Sequence, residues 1–298
     1  MDLLSTILLG VTEGITEFLP ISSTGHLLIA EHWLGQRSEI FNVVIQSGAM
    51  LAVTIIYWRR LVLLAIGWRQ PENRAYIGKL LLAFLITSVL GLAAKKLGFR
   101  LPDTLAPIAW ALIIGGFWII AAEVFAARQQ ARTAVTWPVA VAVGLAQIVA
   151  GIFPGTSRSG ATIFAAMLTG TSNRAAATEF SFLVGIPTMY AASAYELYSG
   201  FKQGAAHEDW LDLGVAFVVA AVTAFVAVKW LLRYIQSHRF TVFAVYRIFF
   251  GGVLLAAASF AGRAEPQPPE RANSAQSRHS DRHGLNNRRA GIHFALFR

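Results

Sequence analysis

Residues 10–26 read GVTEGITEFLPISSTGH, and this stretch places two carboxylates, several hydroxyls and an imidazole inside an otherwise apolar sequence. Glu13 and Glu17 are four residues apart, so on a helix they lie on one face, one turn apart. A carboxylate at bilayer depth costs about 2.5–3.5 kcal/mol on insertion scales, and it normally faces a cavity or a partner. The stretch is therefore predicted to be part of a functional site rather than a surface helix followed by a polar loop.

The surrounding chain has the composition of a membrane protein. It has 298 residues, of which 55% are hydrophobic and 14% are charged, whereas soluble domains average about 25% charged residues. Because there is no cysteine, disulfides and thiolate metal sites are excluded. The start of the chain lacks a basic region and is not expected to be a cleaved signal peptide. Runs long enough to span a bilayer are predicted at about 41–58, 76–94, 105–127, 180–198, 213–232 and 240–261.

A second apolar segment is interrupted in the same way as the first. Gly144 precedes Pro154 by ten residues, as Gly10 precedes Pro20, and small and hydroxyl residues follow each proline. A helix, a break and a second helix within one apolar segment are typical of a re-entrant hairpin, which is tolerated only where protein or a watery cavity covers it. Paired broken segments in two halves of a chain indicate a site at the interface of an inverted repeat.

We therefore predict an all-α polytopic membrane protein with two inverted-topology repeats, at about residues 1–127 and 137–261. Each repeat would consist of a re-entrant helical hairpin and three transmembrane helices, and together they would form one integral-membrane domain, residues 1–261. Residues 262–298 are rich in Arg, Ser, Asn and Pro and are predicted to be a disordered basic tail. A spurious extension and a lipid-binding arm are the alternatives for the tail.

The distribution of basic residues predicts the orientation. The net charge of +9 comes from membrane loops and the tail, so no nucleic-acid partner is expected. The predicted loops on one side carry more Lys and Arg than those on the other, and the positive-inside rule places the richer side in the cytoplasm. The two hairpins would then enter from opposite faces and meet near the midplane. Glu123 is expected at the membrane interface, and Tyr246 and Arg247 are expected to have structural roles.

The two interrupted segments carry complementary chemical groups. Glu13 and Glu17 can hold a hard divalent cation, Mg²⁺ or Ca²⁺, or serve as a general base. The hydroxyl run after Pro20 begins a helix, which is an anion-binding arrangement, and His26 can transfer a proton or act as a nucleophile. Arg158 in the second segment is a planar, charged fork suited to phosphate oxygens. Together these groups predict phosphoryl chemistry on a lipid headgroup.

Both motifs resemble those of the undecaprenyl-diphosphate phosphatase family, bacterial integral-membrane enzymes linked to bacitracin resistance. The matching stretches are EGITEFLPISSTGH at residues 13–26 and PGTSRSGAT at residues 154–162, with supporting stretches at 179–187 and 246–247. The resemblance covers about residues 1–260, and two long motifs in the same order are highly specific. The tail departs from the family pattern, because family members end soon after the last span.

The resemblance implies hydrolysis of undecaprenyl diphosphate to undecaprenyl phosphate and inorganic phosphate, which recycles the cell-wall lipid carrier, and a divalent-cation requirement. It also implies a place in the bacterial cytoplasmic (inner) membrane, with the active site open to the outer, periplasmic face, and it leaves a homodimer open. The implied catalytic residues are Glu13, Glu17, Ser23, His26 and Arg158, with Glu13 and Glu17 also binding the metal. The predicted substrate-binding residues at the two helix starts are Ser22, Thr24, Gly25, Ser157, Ser159 and Gly160.

A second function stays open at this point. Inverted repeats with broken helices are also transporter architecture, so a transporter or flippase for a polyprenyl phosphate lipid is the alternative, with the acids coupling H⁺ or Na⁺. Arg158 beside Ser157 at a helix start favours the phosphatase, because a cation pathway does not need it. The nucleophile is left open between Ser23, His26 and an activated water.

Overall fold

The computed structural model describes residues 3–97, 105–202 and 209–264, and within these ranges the regular structure is helical. The described part of the chain forms eleven helices, namely α1 (Leu3–Thr16), α2 (Ser23–Leu34), α3 (Glu39–Ile56), α4 (Trp58–Ile66), α5 (Pro71–Lys96), α6 (Leu105–Ala127), α7 (Trp137–Ile152), α8 (Arg158–Thr169), α9 (Arg174–Lys202), α10 (Trp210–Ser237) and α11 (Thr241–Ala264).

Five of these helices, α3, α5, α6, α10 and α11, are long and apolar enough to cross a membrane. The 26 residues of α5 and the 28 of α10 correspond to about 39–42 Å of helix, more than the hydrocarbon core of about 30 Å. The chain is therefore a multi-pass membrane protein. The predicted span at 180–198 lies inside α9, which has 29 residues and contains Pro187, and α9 is not among these five helices.

Four shorter helices form two hairpins. α1 packs on α2, and α7 packs on α8; these helices have 12 to 16 residues, about 18–24 Å, which is too short to cross the membrane. The breaks at residues 17–22 and 153–157 contain Pro20 and Pro154, as predicted. The residues that precede α2 and α8, Ser22 and Ser157, both have a positive φ, of 75° and 70°, a strained conformation of the kind that functional sites retain.

Each hairpin packs against a helix from the other half of the chain. α1 lies on α10 and α7 lies on α5, and glycines permit these close approaches. A Cβ added at Gly14 would lie 2.6 Å from the carbonyl oxygen of Ala220, and one added at Gly144 would lie 2.9 Å from that of Ala83. The hairpins are thereby held inside a bundle in which α6 packs on α11 and α3 packs on both α9 and α10.

Glu123, near the end of α6, is enclosed by protein rather than exposed on the surface of the bundle. Its side chain is 2% exposed, and its carboxylate accepts hydrogen bonds from Arg174 at 2.8 and 2.6 Å and from the backbone N–H of Phe240 at 2.9 Å. A buried carboxylate is tolerated when charged and backbone donors satisfy its oxygens. Glu123 therefore links α6, α9 and the start of α11.

Two boundaries differ from the predicted ones. The short helix α4 follows α3 directly, where the hydropathy pattern indicates only the end of a span and a polar loop. α11 continues to Ala264, beyond the predicted domain end at residue 261, because helix ends are poorly marked by composition. The rest of the predicted tail, residues 265–298, lies outside the described residues.

Candidate active site

The two interrupted segments meet inside the bundle. Nη2 of Arg158, the first residue of α8, lies 3.8 Å from Oε1 of Glu17, which follows α1. The two side chains are only 11% and 5% exposed. The cation of the second segment and a carboxylate of the first therefore form a largely buried ion pair, which strengthens their attraction relative to a pair in water.

Glu17 contacts a hydroxyl through its other oxygen. Ser23 Oγ donates a hydrogen bond of 2.5 Å to Glu17 Oε2, and Ser23 is the first residue of α2. A hydroxyl within hydrogen-bonding distance of a base is the arrangement that activates an oxygen nucleophile. Glu17 can thus accept a proton from Ser23 while it is held by Arg158.

Glu13 lies one turn before Glu17 and is buried. The backbone N–H of Glu17 donates to the carbonyl of Glu13 at 2.9 Å, so helical hydrogen bonding continues from α1 into the break. Because the two residues are joined by this bond, their carboxylates lie on the same side of the first hairpin. The site therefore has two acids on α1 and its extension, and one cation on α8.

His26 is engaged at both ring nitrogens. Nδ1 lies 2.7 Å from the carbonyl oxygen of Ser22, and Nε2 lies 2.6 Å from the hydroxyl of Tyr246. Since a carbonyl can only accept, Nδ1 carries the proton, and in the neutral ring Nε2 accepts from Tyr246. The ring is also stacked on Phe250, with centroids 4.5 Å apart. His26 is therefore oriented by α11.

The hydroxyls of the second break hold its backbone in shape. Ser157 Oγ accepts the N–H of Gly160 at 3.2 Å and so caps α8. Ser159 Oγ lies 3.1 Å from Ser157 Oγ and donates to the carbonyl of Leu19 at 3.2 Å. A Cβ at Gly160 would come within 3.4 Å of Pro20. These three predicted substrate-binding residues thus fasten the second break to the first.

A small polar cavity lies between the starts of α2 and α8. Its volume is about 10 Å³, and its walls are formed by Glu17, Ser22, Ser23, Thr24, Ala150, Gly155, Ser157 and Arg158. A cavity of about this size holds one water molecule, whereas a diphosphate is several times larger. The two breaks must therefore separate slightly to admit a phosphate group. Gly25 is also buried, and a Cβ added to it would lie 3.6 Å from Ile108 and from Leu112 of α6.

Arg247 has a larger part in the site than the sequence indicates. Its side chain is 1% exposed and donates to the carbonyl of Pro20 in the first break at 3.2 Å and to that of Gly155 in the second at 2.9 Å. It also donates to the carbonyls of Ala111 and Leu112 on α6. Arg247 therefore ties both breaks to α6, and an arginine within an apolar span is the sequence signal for such a role.

The two acidic side chains suit a hard cation whose remaining ligands come from the substrate. Among the described residues, no three His, Asp or Glu side chains come together as a metal site. Mg²⁺, however, is commonly bound through one or two carboxylates together with substrate phosphates. Glu13 and Glu17, as a pair of carboxylates, match that pattern more closely than they match the six to eight oxygens of Ca²⁺.

Comparison with known proteins agrees with the geometry. The sequence model of the family described as bacitracin resistance protein BacA matches residues 6–253. An undecaprenyl-diphosphatase of Rhizobium johnstonii is 69% identical over 260 residues, which cover 87% of this chain and 98% of that protein. An undecaprenyl-diphosphatase of Xanthomonas oryzae pv. oryzae is 60% identical over 255 residues, which cover 85% of this chain and 96% of that protein. The match includes both breaks and the helices that enclose them, and the chain therefore belongs to the bacitracin resistance protein BacA family.

Proposed function

We propose that this chain is a membrane phosphatase that hydrolyses undecaprenyl diphosphate to undecaprenyl phosphate and inorganic phosphate. The observation that carries the proposal is the buried contact of Glu17 with both Arg158 and Ser23 between two helix N-termini. Relatives that are 60–69% identical bear the name undecaprenyl-diphosphatase. The reaction returns the lipid carrier of cell-wall synthesis to use, and the family name links it to bacitracin resistance.

Ser23 is the proposed nucleophile. Its Oγ forms a bond to the terminal phosphorus, the bond from that phosphorus to the bridging oxygen breaks, and undecaprenyl phosphate leaves. Glu17 takes the serine proton through the oxygen 2.5 Å away and passes it to the leaving phosphate. Glu17 then deprotonates a water molecule whose oxygen forms a bond to the phosphorus; the bond from phosphorus to Ser23 Oγ breaks, Glu17 returns the proton to Oγ, and inorganic phosphate leaves.

Arg158 and the helix starts stabilise the phosphate charge. The guanidinium provides parallel N–H donors for phosphate oxygens, and the N–H groups at the starts of α2 and α8 add a positive field. We assign phosphate contacts to the segment Ser22–Gly25. The second-break residues Ser157, Ser159 and Gly160 position Arg158, because their polar groups are already used in capping and in the contact with Leu19.

His26 is a positioning residue in this proposal. An imidazole attack on phosphorus needs a free ring nitrogen, but Nδ1 and Nε2 are held by Ser22 and Tyr246. Through its bond to the Ser22 carbonyl, His26 orients the residue immediately before Ser23. It thereby supports the strained N-cap of α2.

Glu13 and Glu17 would hold the divalent cation, for which Mg²⁺ is the first candidate and Ca²⁺ the second. When bound, such an ion supplies positive charge that neutralises the diphosphate oxygens. The protein contributes two carboxylates that are kept close by the helical bond between Glu17 and Glu13. The diphosphate would supply further oxygen ligands.

The matched contacts of the two halves support an inverted repeat of residues 1–127 and 137–261. The packing of α1 on α10 has its counterpart in that of α7 on α5, and the packing of α3 on α10 has its counterpart in that of α9 on α5. Both hairpins also have the same positive-φ serine before the second helix. With the Lys- and Arg-rich side in the cytoplasm, the mouth of the first hairpin opens to the outer face of the bacterial inner membrane.

The test is phosphate release by the purified chain in detergent. We expect release from undecaprenyl diphosphate that depends on Mg²⁺ or Ca²⁺ and is lost in Glu17→Gln. The matched control is Glu179→Gln, because Glu179 pairs with Arg60 outside the site. Absence of release from the unmodified chain, or full release from Glu17→Gln, would contradict the proposal. Translocation of a labelled polyprenyl phosphate across liposomes without hydrolysis would then support the transporter alternative.

A further inference from the structure

An apolar cleft lies beside the candidate active site, between α6, α7, α8 and α11. Its volume is about 590 Å³, within the range of about 300–1,000 Å³ that small-molecule sites occupy. The side chains that shape it include Trp110, Ile114, Trp118, Val149, Phe153 and Phe164. Its walls are almost entirely apolar, in contrast to the hydroxyls and charges of the adjoining polar cavity.

The cleft is elongated along one face of α6. Its lining residues on this helix begin at Pro107 and end at Ile119, and they recur three and four residues apart, as residues on one helix face do. This stretch corresponds to about 18 Å of helix. Such a shape suits a linear hydrocarbon chain better than a compact ligand.

The cleft and the polar cavity share a wall at the second break. Gly155 lines the polar cavity, and the next residue, Thr156, lines the cleft. Gly160 and Arg247, which contact the second break, line the cleft as well. The polar cavity and the cleft therefore lie on opposite sides of the backbone at 155–156, so the hydrocarbon chain of a bound lipid would begin close to the cleft.

The cleft acts through shape rather than through hydrophobicity. Lipid acyl chains are as apolar as its lining, so moving a prenyl chain from the bilayer into the cleft removes no apolar surface from water. Trp110 and Trp118 are 54% and 47% exposed, and these rigid rings form walls against which a chain can pack. The contribution of the cleft is therefore to orient the substrate.

We propose that this cleft holds the first isoprene units of the polyprenyl diphosphate and thereby orients its diphosphate toward Ser23. The inference rests on the proposed function, since it assigns the tail site for that substrate. The first units lie along α6, and the rest of the chain lies in the bilayer. Selection of a prenyl diphosphate over a short soluble diphosphate is then a property of α6, α7 and α8.

A pair of matched substitutions tests the cleft. Ala146→Trp on α7 fills it, and Ala93→Trp adds the same ring to an exposed position on α5 outside it. We expect Ala146→Trp to raise the KM for farnesyl diphosphate about tenfold or more, because the ring occupies the space of the hydrocarbon chain, and to leave the rate with inorganic diphosphate, which has no hydrocarbon chain, unchanged. Ala93→Trp is expected to match the unmodified chain with both substrates. Equal KM values in the two variants would overturn the inference.

Photolabelling of the unmodified chain tests the same site without relying on a variant. A farnesyl diphosphate analogue with a benzophenone on its hydrocarbon chain is expected to label peptides from α6, α7 and α8, and unlabelled farnesyl diphosphate is expected to compete. Labelling confined to the exposed faces of α3 or α10 would contradict the cleft. Failure of the unmodified chain to release phosphate from any of these diphosphates would contradict the proposed function itself, whereas normal release with labelling elsewhere would contradict the cleft alone.

Discussion

The two hairpin breaks share a backbone conformation and differ in chemistry. Ser22 has φ 75° and ψ 100°, and Ser157 has φ 70° and ψ 114°. The next residue begins the second hairpin helix in each case, and it is Ser23 in the first break and Arg158 in the second. One backbone design thus presents a hydroxyl on one side of the site and a guanidinium on the other.

The breaks also differ in how their polar groups are satisfied. Ser157 caps α8 by accepting from Gly160, and Ser159 donates to Leu19 of the first break, so the hydroxyls of the second break are used in structural contacts. Ser22 forms no side-chain cap on α2, and Ser23 donates to Glu17. The difference indicates that the second break provides the frame and the first provides the reacting groups.

Loss of Arg158 should be among the largest effects. Arg158→Ala removes the cation from the second break, and we expect hydrolysis to fall about 10³-fold or more, as when a main charge-stabilising donor is lost. Phosphate release from undecaprenyl diphosphate measures it. Arg60→Ala is the control, because Arg60 forms an ion pair with Glu179 that is about one-third exposed. Similar rates in these two variants would remove the reason for assigning a phosphate-binding role to the second break.

Serine substitutions in the two breaks should distinguish the catalytic role of Ser23 from the structural role of Ser157. Ser23→Ala is expected to lower kcat about 10²- to 10⁴-fold. Ser157→Ala should lower stability by about 1 kcal/mol through loss of the α8 cap, with a much smaller loss of kcat. Phosphate release and thermal unfolding in detergent measure the two effects. If both variants lose the same activity, the division of roles between the breaks is wrong.

Arg247 should affect both breaks together. Arg247→Met leaves the carbonyls of Pro20 and Gly155 without their donor, and we expect a loss of about 3 kcal/mol of stability, since each unpaired buried group costs about 1–3 kcal/mol. Thermal unfolding in detergent is the measurement, with Arg233→Met at an exposed position of α10 as control. Unchanged stability would show that the breaks are held by their helices alone.

The smallest effect is expected at Tyr246. Tyr246→Phe removes the hydrogen bond to His26 but keeps the ring stack, so the loss should be about 1 kcal/mol, or about threefold to tenfold in kcat. Tyr198→Phe, at an exposed position, is the control in the same phosphate assay. A loss as large as that in Ser23→Ala would assign the His26–Tyr246 pair to the reaction rather than to positioning.

Strong local signals were interpreted correctly. The predicted span 105–127 coincides with α6, because uninterrupted apolar composition and flanking polar residues mark both of its ends. Pro20 and Pro154 lie in the breaks, since proline and the hydroxyl residues after it disfavour a continuous helix. The helix α4 was not predicted, because the hydropathy pattern there indicates only the end of a span and a polar loop. The burial of Glu123 was not predicted either, because its partner Arg174 is distant in sequence.

The sequence by itself determined that this is a multi-pass membrane protein with two interrupted segments that carry acids, hydroxyls and an arginine. It could do so because polar groups in an apolar segment are costly and their spacing is visible along one helix. Only the tertiary structure decided that Ser23 rather than His26 contacts Glu17, that Arg247 joins both breaks, and that a cleft runs from them along α6. Arg247 and Pro20 are 227 residues apart, and such contacts depend on how helices pack, which local periodicity does not specify.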